Sequence, residues 1–256
     1  MKIKFIVSII LISIFLFSAC KKKTVEPTTD STPTGVLMMH LHTHISDTEV
    51  DSYDTIYTNQ DGRKLSLKLA QMYISDIQLV KLDGSIYKVA DKNFLKVFET
   101  EGYKLENVPV GNYKAIRFKV GLNSTINALE PTNSAYTSLL NKPEMWFTNP
   151  VQTNGYVFAN IQGGIDTTVA KNGSLIPFSY KIGTDANLVE VSLPDKYFTV
   201  SEGMLSYSHL IIDYSNVFEG IQLNQVNNLT INTVTDNSSS LATTIKNNIS
   251  SMFHFE

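Results

Sequence analysis

The sequence predicts an all-β fold, an antiparallel β-sandwich with a long loop insertion and a short C-terminal helix. Three observations predict it. Apolar and polar residues alternate in short runs. Turn dipeptides such as Asp61-Gly62 and Asp83-Gly84 separate those runs. A sustained helical period appears only near the end of the chain.

The first strand is read from "VLMMHLHTHI", residues 36–45. Side chains on a strand point alternately to opposite faces, so Leu37, Met39, Leu41, Thr43 and Ile45 share one face. That face is apolar and belongs to the core. Val36, Met38, His40, His42 and His44 share the other.

In the next long run, Tyr73, Ser75, Ile77, Leu79 and Lys81 fall on one face, and Ile74, Asp76, Gln78, Val80 and Leu82 on the other. The apolar set changes face partway, which predicts a bulge or twist. Pro109 and Gly111 then make a turn into a strand carrying Tyr113, Ala115, Phe118 and Val120. Residues 125–155 are too long for a hairpin loop and read as a structured insertion, with a short helix near 133–141. Further strands follow in "YVFANIQGG", "SLIPFSYKIG", "LVEVSL", "KYFTV" and "SHLIIDYSNVFEG". The closing helix takes Asp236 or Asn237 as its N-cap and buries Leu241, Ile245 and Ile249, spaced four apart.

Ahead of the domain, Lys2 and Lys4 precede an apolar run from Phe5 to Phe17. A bilayer needs about 20 consecutive apolar residues, so this run reads as a signal peptide over residues 1–19. Ser18 and Ala19 before Cys20 resemble a bacterial lipobox, which makes Cys20 a lipidation site. Residues 20–35, rich in Thr, Pro and Lys, read as a tether from the membrane, and 36–256 as one domain.

Cys20 is the only cysteine, so a disulfide within the chain and a thiolate metal site are both excluded. The net charge is −3, and losing Lys2 and Lys4 with the signal makes it −5. Nucleic acid needs a basic face and is not an expected partner. Nucleophile-elbow, zincin, Walker and dinucleotide-binding motifs are absent, and the chain is read as non-enzymatic.

His40, His42 and His44 are the chemistry-bearing cluster. Neutral imidazole is the commonest protein metal ligand, and a thioether such as Met38 adds a preference for copper(I). Residues two apart on a strand lie about 6.6 Å apart, so neighbouring histidines can share an ion. His40 and His44, about 13 Å apart, cannot do so on a regular strand. A mononuclear site therefore uses two of the three, with other ligands from elsewhere. The alternative is a hydrated strand face. His209 reads as an ordinary strand residue and His254 as part of a frayed tail.

Several segments in series resemble the MbnP-like family: "NQDGRKLSLKLAQMYISDIQLVKLDGS", "NVPVGNYKAIRFKVGLNS", "EMWFTNPVQTNGYVFANIQG", "FSYKIG" and "IIDYSNVFEG". The resemblance implies a copper-binding β-sandwich of the periplasm or cell surface, in a family whose founding members are associated with the peptide methanobactin. Some members hold copper with His and an oxidised tryptophan. Carried over, the metal candidates are His40, His42 and His44 on the first strand together with Trp146, the only tryptophan. Where the family commonly reads His before Ile/Leu-Gly, this chain has Lys181.

The expectation is a lipid-anchored, Bacteroidota-type outer-membrane lipoprotein that binds copper or a similar metal. The alternative is a metal-free glycan- or protein-binding module that uses the aromatics between Tyr136 and Tyr156.

Overall fold

The computed structural model describes residues 32–90, 92–135, 138–147 and 155–256. The signal segment, Cys20 and most of the tether lie outside these residues. In chain order the first strands are β1 (Thr34–Ile45), β2 (Thr48–Glu49), β3 (Tyr57–Thr58), β4 (Lys64–Lys81) and β5 (Ile86–Lys88). They are followed by β6 (Phe94–Lys96), β7 (Gly102–Pro109), β8 (Gly111–Val120), β9 (Val157–Asp166) and β10 (Leu175–Gly183). The last are β11 (Val189–Ser192), β12 (Phe198–Val200), β13 (Leu205–Asp213), β14 (Thr230–Ile231) and β15 (Phe253–Phe255). The helices are α1 (Ser124–Asn127) and α2 (Ser240–Ser251).

The expected sandwich is present. One sheet runs β15-β13-β1-β2, with β7 also on β1; the other runs β11-β8-β4-β9-β10-β14, with β3, β5, β6 and β12 at its margins. Leu37, Met39 and Leu41 of the first sheet join Leu65, Ile74 and Ile161 of the second in a continuous apolar core. The sheets are mixed rather than purely antiparallel, because β1 runs parallel to β13 and β10 to β14. No hairpin joins β1 to β13, so no turn dictates their relative direction.

Strand β1 follows the predicted alternation, with alternate residues from Gly35 to Ile45 buried and those between them half-buried. The face switch in β4 is a bulge. Asp76 has φ 49° and the pairing with β8 slips between Ser75 and Gln78. The Asp61-Gly62 and Asp83-Gly84 turns join β3 to β4 and β4 to β5, with both glycines at positive φ.

Three local expectations are corrected. Among the described residues of 133–141 no α-helix forms; a 3-10 turn at Pro131–Asn133 stands there instead, while α1 lies earlier. Pro131 supplies the φ of a first helical turn, and Ser134, extended at φ −86° and ψ 151°, ends it. The N-cap of α2 is Ser239, whose hydroxyl accepts from Ala242 N. Asp236 is committed elsewhere, since its Oδ2 accepts from Asn232 N and Thr233 N. Asn237 is committed too: its Oδ1 accepts from Gly183 N and its amide donates to Lys181 O. Finally, His254 is not frayed, because β15 pairs Phe253–Phe255 with β13.

Candidate metal centre

The β1–β13 register sets His40 opposite His209, and His42 opposite Ile211. Residues facing the same side of adjacent strands become neighbours, so β13 adds a third imidazole to the β1 face. His42 Nε2 lies 3.2 Å from His209 Nδ1, and the two rings are nearly parallel at 7°. His40 is 4.9 Å from His209 and 5.8 Å from His42 between ring centroids. One ligand nitrogen from each of the three lies within 4.8 Å of the others. All three are half-buried, and Tyr207 stands edge-on to His40 at 5.4 Å.

Carboxylates surround this group. His42 Nδ1 faces Glu49 Oε1 at 3.2 Å and Glu101 Oε2 at 3.6 Å. Glu256 Oε2 lies 3.4 Å from His209 Nδ1. With its Nδ1–H donated to Glu49, His42 keeps the lone pair on Nε2, the nitrogen that faces the other imidazoles.

Glu49 is delivered by a tight β1–β2 turn. Ser46 adopts φ 56°, and its amide donates to Asp213 Oδ1 and Ser215 Oγ, both at 2.8 Å. Glu101 is delivered by the β6–β7 connection. Lys96 Nζ donates there to Val97 O and Thr100 O, Tyr103 Oη donates to Thr100 O, and Leu41 N donates to Glu101 O.

The electrostatics favour a neutral ring at His40. His40 is held below the ordinary histidine range, first by loss of hydration and then by the neighbouring His209 and His42, with Glu101 opposing. A neutral imidazole has a free lone pair and is the form that binds metal.

The structure thus brings His40 and His42 together, and adds His209, which strand reasoning assigned no special role. His44 pairs with Asp213 on one side and Glu49 on the other, and stays outside the three-imidazole group. Trp146 lies outside both sheets, in an isolated bridge to Tyr156 just before β9. It is buried, and its indole Nε1 has no hydrogen-bond partner among the described residues. Lys181 sits in the second sheet, opposite Asn160. Glu49, Glu101 and His209 carried no local sequence signal, because each reaches the site through pairing or a turn.

Fold and site together define a β-sandwich with an imidazole-based candidate metal centre on one sheet face. The family model described as MbnP matches residues 34–250, and the chain belongs to the MbnP family. No curated protein matches it in sequence. A solved structure, MbnP from Methylosinus trichosporium, is similar at 15% identity and a TM-score of 0.49, covering 73% of this chain and 78% of that one.

Proposed function

We propose that the chain is a lipid-anchored, non-enzymatic protein of the bacterial cell envelope that binds copper through His40, His42 and His209. The observation that carries this reading is the convergence of three imidazole nitrogens within 4.8 Å of one another. The donor set suits a copper-type ion: three imidazoles and no thiolate, with Glu49 behind His42 and Glu256 beside His209 Nδ1, the nitrogen that faces His42. A hard cation such as Mg²⁺ prefers oxygen ligands, whereas the three half-buried groups that converge here offer nitrogen. Family membership supports copper through the resemblance set out above. Cys20 and the small residues before it support the lipid anchor and an outer-membrane location. The alternative of a glycan- or protein-binding loop has less support, since Trp146, Phe147 and Tyr156 are all buried.

The test is titration of the soluble domain with copper, beside elemental analysis of natively purified protein. Saturable one-to-one binding that disappears in a His42→Ala/His209→Ala double variant is expected. Equal binding by the native and double-variant proteins would sink the reading. The anchor is tested separately, because Cys20→Ser should move the protein out of the membrane fraction.

A further inference from the structure

The chain enters β1 at one end of the sandwich, and three turns gather around that entry. Val110 N, at the tip of the β7–β8 hairpin, donates to Pro33 O. Gly203 N, in the turn between β12 and β13, donates to Thr34 O, and Val36 N donates to Met204 O. Leu82 N, just past β4, donates to Asn112 O near the start of β8. Around these turns Leu82, Ile86, Val110, Met204 and Leu205 are exposed, from 40% at Val110 to 60% at Met204. Single apolar residues scattered over a surface are ordinary, whereas a group of them on one end marks a contact face.

We propose that this end of the sandwich is a membrane-docking surface, whose five apolar side chains rest in the headgroup region of the bilayer that holds Cys20. The proposal rests on the lipid anchor of the reading above. Residues 21–33 separate Cys20 from β1, and a chain of that length spans at most about 45 Å. Tethering makes docking intramolecular, so a contact too weak to hold free protein on lipid is enough. Asp83 and Glu202 are exposed at the turn tips, so the attraction is apolar rather than a pull on anionic headgroups. His40 lies further along β1 from Thr34, about 20 Å at the rise of a strand. Docking at the entry end therefore leaves the histidine face clear of the lipid.

The experiment uses the natively lipidated protein in phosphatidylcholine vesicles. Lipidation consumes the thiol of Cys20, the only cysteine, so Met204→Cys or Val169→Cys supplies a single site for the polarity-sensitive dye acrylodan. Val169 is the control: 84% exposed, it follows β9 at the far end of β4, where Leu65 pairs with Ile165. The dye at 204 should emit further to the blue and lose about half or more of its emission in vesicles brominated on the acyl chains, as insertion by about 5–10 Å requires. The dye at 169 should do neither. Leu82→Glu/Val110→Glu in the Met204→Cys background should abolish both changes. A water-like signal at 204, or equal quenching at both positions, overturns the docking surface, while flotation with the vesicles keeps the anchor. Quenching at 204 that survives Leu82→Glu/Val110→Glu also overturns it, because the dye then reports only the nearness of the anchor. Native protein that does not float with the vesicles overturns the proposal together with the anchor beneath it.

Discussion

The ring nitrogens His42 Nε2 and His209 Nδ1 lie 3.2 Å apart, although 167 residues separate them in sequence. The parallel pairing of β1 with β13 makes this contact, and it divides the four histidines of these two strands unequally. His40 and His42 face His209, whereas His44 faces the β2 turn.

The first prediction follows from that division. His209→Ala should weaken copper binding by more than the roughly 10–100-fold that loss of an outer partner costs. His44→Ala should leave the affinity within about threefold of native, since it removes no member of the group. Calorimetric titration of both variants decides it. A larger loss in His44→Ala than in His209→Ala would show that the ion sits at the other end of the strand.

Much of the fold was legible in the sequence, and the half of the site that was legible came from the same signal. Period-2 alternation depends on residues a few positions apart, so it reported both faces of β1 and the bulge at Asp76. His209 carried no such signal. Its role depends on which strand lies beside β1 and in which register, and a parallel pair has no connecting turn in which that could be written. The cap of α2 was misplaced for a similar reason. Asp236 and Asn237 are good cap residues, but their side chains are taken by the 232–233 turn and the end of β10. The copper assignment rests on family resemblance and donor chemistry together, because alternation says where histidines point and not what they hold.

A second prediction concerns the carboxylates behind His42. Glu49 and Glu101 both reach its Nδ1, so either can hold the ring when the other is lost. Single Glu→Gln changes should therefore have small effects, and Glu49→Gln/Glu101→Gln together should weaken metal binding by roughly tenfold. Both carboxylates are about half exposed, which places the effect at the low end and makes it shrink with added salt. Additive single effects, or a double variant that binds like native protein, would remove these residues from a positioning role.

The third prediction is a pH dependence of stability at the loop that presents Glu101. Lys96 is fully buried, its ammonium donating to Val97 O and Thr100 O. Burial lowers its pKa from 10.5 to about 8, against a smaller opposing pull from Glu101 and Glu99. Between those two values the unfolded chain retains the proton while the folded chain gives it up. The unfolded state therefore binds more protons, and the lysine's contribution to stability rises with pH across this window. Below about pH 8 the charge is present in both states and its burial is felt in full.

In Lys96→Met the charge is gone at every pH. Val97 O loses its donor, while Thr100 O keeps the Tyr103 hydroxyl. Buried tyrosines such as Tyr180 oppose folding above about pH 10 in both proteins, so they cancel in the comparison. Thermal melts of native and Lys96→Met protein at about pH 7.5 and about pH 10 should show the difference in Tm moving in favour of the native chain. A difference that stays flat would mean that Lys96 keeps an ordinary pKa in its pocket, and with it that the loop carrying Glu101 admits water around the ammonium.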